Sequence, residues 1–166
     1  MMPDAGRSAV PTREELAERA REFIPVLRDR APNSEKNRRV PDITHKEFVE
    51  AGFYRMFQPH RYGGYEMDWD CILDVATELG RGCGSSCWVF TNLTGQTWIN
   101  GMKTEQAQDD VWKDNPDAVI ASSFPGKDAT VKAVDGGWIA DGMWGFSSGI
   151  DFAGWSNVQL FVPQEN

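Results

Sequence analysis

The sequence predicts an α+β fold: an N-terminal all-helical domain over residues 1–117, then the start of an antiparallel β domain over 118–166. Three observations predict it. Apolar residues recur at helical spacing from Leu16 to about Lys113. The pattern changes after Asn115-Pro116-Asp117, where short apolar and alternating runs begin. Asp135-Gly136-Gly137 then stands between two such runs as a hairpin-turn signal.

The elements follow in order. Thr12-Arg13-Glu14-Glu15 starts a helix with acids in its first turn. Leu16, Ala20, Phe23, Ile24 and Leu27 form its apolar stripe to about residue 31, and Pro25 bends or divides it. Residues 32–43, polar and holding Pro32 and Pro41, read as a loop. Thr44-His45-Lys46-Glu47 reads as a capping box opening a short helix, closed by Gly52. Tyr54 to Tyr65 is irregular, with Gly63-Gly64 allowing unusual dihedrals. Asp68 or Asp70 caps a helix carrying Ile72, Leu73, Val75, Ala76 and Leu79. The small-residue stretch Gly80 to Cys87 either breaks that helix or admits another backbone. Trp88 to Met102 is helical, and Thr104-Glu105-Gln106 opens one more helix ending near Lys113. Ala118–Ala121, Thr130–Val134, Trp138–Ala140 and Ser156–Val162 are strand candidates.

With 166 residues, 40% hydrophobic composition and seven Trp, the chain is long enough for one packed domain, or one domain and a piece of another. Its net charge of −8 argues against nucleic acid and anionic membranes as partners. The basic clusters around Arg28-Asp29-Arg30 and Lys36-Asn37-Arg38-Arg39 read as solvated faces. No apolar run reaches the roughly 20 residues that span a bilayer, and residues 1–12 have no signal-peptide core. Cys71, Cys83 and Cys87 lack nearby histidine ligands or a second cysteine pair, so they read as reduced, buried thiols of a cytoplasmic protein, with no metal site.

Two serine clusters carry the chemical signal. One is Ala121-Ser122-Ser123-Phe124-Pro125-Gly126, followed by Lys127-Asp128 in a solvated turn. The other is Trp144-Gly145-Phe146-Ser147-Ser148-Gly149-Ile150-Asp151. Small hydroxyls beside glycine and aromatic residues at strand ends suit a flat cofactor with a polar edge. Trp88 and Trp144 read as core or interface aromatics. His45 and His60 read as structural, the first in the capping sequence and the second in the turn.

With Gly52-Phe53-Tyr54-Arg55-Met56, Pro59-His60-Arg61-Tyr62-Gly63-Gly64 and Gly84-Ser85-Ser86-Cys87-Trp88-Val89, these motifs resemble the acyl-CoA dehydrogenase superfamily. The resemblance is to its flavin-dependent monooxygenase branch, the oxygenase components of two-component aromatic hydroxylases. It extends from about Leu16 over nearly the whole chain. It implies that this chain is the N-terminal portion, truncated before a C-terminal four-helix bundle that builds a tetramer in full-length relatives.

The resemblance also implies roles. Ser122 and Ser123 meet the pyrimidine edge of a reduced FMN or FAD. Phe146 lies beside the ring, and Ser147 and Ser148 complete the cofactor contacts, with Ser148 catalytic near flavin N5. The flavin comes from a partner flavin reductase, and the substrate is a small aromatic or polycyclic compound. Gln96 stands where the branch often has a histidine, so it is a second catalytic candidate that donates a hydrogen bond but cannot act as a base near neutral pH. Phe124 replaces the glutamate of the dehydrogenase motif. The alternatives are an acyl-CoA dehydrogenase-like FAD oxidoreductase and a non-enzymatic binding or assembly module.

Overall fold

The computed structural model describes residues 10–124 and 129–162. The turn at Lys127-Asp128 lies outside the described residues. Among the described residues, five α-helices pack around an aromatic-rich core, a sixth joins a smaller cluster of Val111, Trp112 and Ile120, and four short strands follow.

Helix α1 (Arg13–Glu22) opens on a capping box. Thr12 Oγ1 accepts from the Glu15 amide at 3.2 Å, and Glu15 Oε2 accepts from the Thr12 amide at 2.7 Å. The chain turns at Phe23, and α2 (Ile24–Asn37) starts with Pro25 in its first turn. Helix α2 then runs through Pro32 to Asn37, where a loop was expected. Pro32 removes one hydrogen bond, but Leu27, Ala31 and Ser34 pack inward on either side of it. Ser34 Oγ also donates to the Arg30 carbonyl at 3.2 Å. Packing of the inner face therefore outweighs the proline. Arg38 ends α2 with a left-handed φ of 52°.

Helix α3 (Asp42–Glu50) begins after Pro41, so Thr44 and Glu47 are not a capping box. Thr44 is fully buried and accepts from Arg30 Nη1 at 3.0 Å, while Glu47 pairs with Arg30 at 2.5 Å. The threonine-glutamate spacing serves a clamp between α3 and α2, and local sequence cannot tell the two uses apart. Gly52 does end the helix, with φ +80°. Two short 3-10 turns follow, Phe53–Arg55 and His60–Tyr62.

Helix α4 (Cys71–Gly82) is capped by neither aspartate side chain. Asp68 supplies its main-chain carbonyl to the Cys71 amide, and the Asp70 carboxylate accepts from Arg13 Nη1 at 2.6 Å. At Gly82 both expectations hold. The helix stops at Cys83, and a Cβ on Gly82 would meet Leu27 Cβ at 2.8 Å, so α2 crosses here at backbone distance. Helix α5 (Gly84–Gly101) is the longest, and α6 (Glu105–Trp112) is joined to the Arg61-Tyr62 turn. Arg61 Nη2 donates to Gln108 Oε1 at 2.9 Å, and Tyr62 donates to the Asp109 carboxylate.

The core gathers Leu16, Leu27, Phe48, Phe53, Val75, Leu79, Phe90 and Leu93, all essentially without solvent contact. Phe23, Phe48, Phe53 and Phe90 meet edge to face, with centroids 5.3–6.4 Å apart. Strand β1 (Ile120–Ser123) runs into this core through Val119 and Ala121. Strands β2 (Thr130–Val134) and β3 (Gly137–Asp141) form the expected antiparallel hairpin. Strand β4 (Trp155–Val158) pairs with β1 in parallel, Ile120 opposite Trp155. A parallel pair needs a long crossover, and the hairpin with the glycine-serine segment supplies it.

Candidate functional site

Helix α5 positions the site. Phe90, Leu93, Thr94 and Thr97 are buried, which leaves Trp88, Gln96 and Ile99 on the side facing the strands. Two grooves flank this side. One, of about 540 Å³, is lined by Arg38, Gly84, Trp88, Ser147, Ser148 and Phe152, among others. The second, of about 470 Å³, is lined by Gln96, Lys103, Ser122, Ser123, Phe124 and Asn157, among others.

The segment Gly145–Phe152 is held at several points. Ser123 Oγ donates to the Gly145 carbonyl. Trp88 Nε1 donates to Ser148 Oγ at 2.9 Å. Gly149 has φ +84°, and a Cβ there would meet Leu93 Cδ2 at 2.7 Å, so both dihedral and space require glycine. Phe152 stacks on His45 with centroids 4.3 Å apart. Arg39 lies 5.3 Å above the Phe152 ring and 3.6 Å from the Asp151 carboxylate. Burial holds the His45 imidazole below its ordinary pKa, against the opposing pull of Asp42.

The predicted site residues thus divide. Ser122, Ser123 and Gln96 share one groove, and Ser147 and Ser148 share the other. The bond from Ser123 to Gly145 ties the two groups to one backbone segment. The Ser123 proton is spent on that bond, whereas Ser122, half-buried, has no side-chain partner among the described residues. Ser148 accepts from Trp88, which leaves its own O–H to donate outward. Ser147 Oγ is buried without a partner among the described residues. Phe146 lines neither groove. It has a left-handed φ of 58°, costly for a bulky residue, and a fully exposed ring.

Of the two places expected for Trp88, core or interface, the core is excluded: the side chain is largely exposed and donates to Ser148. Its spacing of eight residues from Gln96, two helical turns, is the signal that puts both on one side of α5. Asn157, which donates to Gln96, and Lys103, which donates to Asn157, carried no local signal.

The family model described as acyl-CoA dehydrogenase, N-terminal domain, matches residues 11–111. The flavin-dependent monooxygenase, oxygenase subunit HsaA, of Rhodococcus jostii (strain RHA1) is 37% identical over 134 residues, which is 81% of this chain and 35% of that protein. The crystal structure of the HsaA monooxygenase from M. tuberculosis superposes with a TM-score of 0.84 at 32% identity, covering 89% of this chain and 40% of that one. XiaF from Streptomyces sp., in complex with FADH2 and glycerol, gives 0.80 at 31% identity, over 88% and 37%. The chain spans about a third of the length of the curated relatives it matches. It belongs to the acyl-CoA dehydrogenase family and carries that family's N-terminal domain.

Proposed function

We propose that this chain is the N-terminal portion of the oxygenase component of a two-component, flavin-dependent monooxygenase, and that the whole protein hydroxylates an aromatic or polycyclic substrate. In this reading residues 1–117 are the helical domain and 118–166 part of a β domain, in a cytoplasmic homo-oligomer served by a flavin reductase. The observation that carries it is the 37% identity to an oxygenase subunit across 81% of the chain. The site supports it. A flat, polar-edged group needs small hydroxyls with unspent hydrogen-bonding capacity, and Ser122, the orphaned Ser147 Oγ and the Ser148 O–H supply them.

Bound there, reduced flavin would supply the electrons for oxygen activation. FAD is favoured over FMN by the FADH2 complex of one structural relative. Ser122 and Ser123 would hold the pyrimidine edge, and Ser148 would donate at the reacting edge. Trp88 fixes the Ser148 rotor by donating to its oxygen. Gln96 has no usable base, so it can orient a substrate oxygen but cannot take its proton.

The test supplies the active oxygenase with reduced flavin, oxygen and a phenolic substrate. The expected result is a hydroxylated product. Oxidation of an acyl thioester without oxygen incorporation would overturn the reading in favour of a dehydrogenase. Within the site, Ser148→Ala is expected to lower the ratio of hydroxylated product to hydrogen peroxide about tenfold, the effect of one lost hydrogen bond of ~1.4 kcal/mol. Flavin affinity, spread over many contacts, changes less. An unchanged ratio removes Ser148 from the site.

A further inference from the structure

Two main-chain bonds tie the serine pair to Phe152. The Ile150 amide donates to the Ser147 carbonyl at 3.1 Å, and the Phe152 amide donates to the Gly149 carbonyl at 3.0 Å, forming the 3-10 turn Ile150–Phe152. The far end of this turn is gripped by the corner between α2 and α3. Arg38 ends α2 in the left-handed region, and Arg39 and Val40 then line the same groove as Ser148. Arg39, Asp42 and His45 converge there. Asp42 accepts from Arg39 Nη2. Arg39 Nε lies 3.6 Å from the Asp151 carboxylate, and the guanidinium carbon lies 5.3 Å from the centroid of the Phe152 ring. His45, one helical turn beyond Asp42, stacks on the same ring at 4.3 Å and 6°. The carboxylate partners of Arg39 sit on different elements, Asp42 on α3 and Asp151 on the turn, so the guanidinium bridges the two.

We propose that Arg39 is a positioning residue for Ser148: by clamping Asp151 and Phe152 it holds the turn against α3, and so keeps the Ser148 oxygen on Trp88 with its proton free to donate into the groove. The inference rests on the placement of Ser148 at the reacting edge proposed above. Ser148 needs such support. Trp88 is largely exposed, so its bond to Ser148 competes with water at the indole N–H. It persists only where the serine is held within reach of the indole. Phe152 also packs against the main core. Burial accounts for an apolar residue at that position, but not for a cation brought to its ring from another element. Exposed ion pairs and cation–π contacts each shift an equilibrium by about two- to fivefold, so the two together shift it by about tenfold.

The probe is the indole N–H of Trp88 in the 15N-labelled 166-residue chain, with no flavin present. Trp88→Phe assigns its resonance, and Ser148→Ala marks the position of the released indole. Arg39→Ala is expected to move the resonance toward that position and to speed its hydrogen exchange about tenfold. Trp112, which donates to the Ala118 carbonyl at 3.1 Å in the separate small cluster, is the internal control and should not change. Phe152→Leu should act like Arg39→Ala, and the double variant should be no worse than the stronger single one. Arg39→Lys keeps the charge at Asp151 without the flat cation on the ring, and should recover about half of the effect.

An unmoved Trp88 resonance in Arg39→Ala would overturn the proposal. So would an equal change at Trp112, which would mean general loosening of the fold. In the active oxygenase, Arg39→Ala should lower the ratio of hydroxylated product to hydrogen peroxide several-fold, with flavin affinity and substrate KM close to those of the parent. A ratio left unchanged by Arg39→Ala but lowered by Ser148→Ala would also overturn it. The indole readout involves neither oxygen nor flavin. A Trp88 resonance that responds as expected, in a protein whose oxygenase yields no hydroxylated product, supports the clamp and refutes the monooxygenase reading alone.

Discussion

The helical and strand regions treat their large side chains in opposite ways. Between α1 and α5, Phe48, Phe53 and Phe90 meet one another and almost no solvent. Charged clamps join the helices around them, Arg13 to Asp70 and Asp74, and Arg30 to Glu47. Beyond β1 the chain displays most of its large apolar side chains, and Trp138, Met143, Phe146, Trp155 and Phe161 are all exposed. The first region is a scaffold built on a buried aromatic core, although it too leaves Leu73, Trp88 and Met102 exposed. The second is a set of surfaces held in place by a few contacts with that scaffold, and the serines of the candidate site lie along those contacts.

The difference can be broken by mutation. Phe48→Ala should cost about 3–5 kcal/mol, as large aromatic truncations in a packed core do, whereas Ile139→Ala in the hairpin should stay within about 0.5 kcal/mol. Denaturant midpoints of the two variants measure the contrast, and similar losses would mean that the hairpin is packed in solution. Next in size is Gly149→Ala, at the seam between the regions. Its left-handed dihedral costs a residue with a Cβ about 1–2 kcal/mol, and the approach to Leu93 adds to that. The same measurement should show a loss of about 2–3 kcal/mol.

The exposed apolar side chains and open strand edges predict concentration-dependent self-association. Sedimentation velocity checks this, and a clean monomer at high concentration would count against it. The smallest effect concerns His45. Its folded-state pKa lies below the ordinary value, so the unfolded chain binds the extra proton first. Stability should therefore fall as pH drops from about 6.5 toward the folded pKa, and then level off. His45→Phe keeps the stack on Phe152 and should remove that component, read as a flatter plot of midpoint against pH.

What the sequence made legible was local. The Thr12 cap, the Gly52 stop, the break at Gly82 and the Asp135-Gly136 hairpin each depend on residues a few positions apart. The misreadings all had distant causes. Helix α2 continues past Pro32 because its inner face is packed, and Thr44 faces Arg30 instead of its own helix end. The site shows the same division. Its serines and Gln96 could be named from motifs, but the bonds that give them direction come from Trp88, Asn157 and Lys103, about 60 residues away in two cases. Periodicity and motif spacing carry no information about such partners.

The hairpin of β2 and β3 has a practical consequence. Its residues are exposed on nearly every position, and its turn at Gly136 has no atom within 4 Å of where a side chain would begin. It leaves and re-enters the fold between two strands that pair with each other, so its length is decoupled from the register of β1 and β4. Lengthening a loop costs only about 0.6 kcal/mol per doubling. The hairpin tip is therefore the natural place for a dye, an affinity tag or an inserted reporter domain, introduced without disturbing either groove.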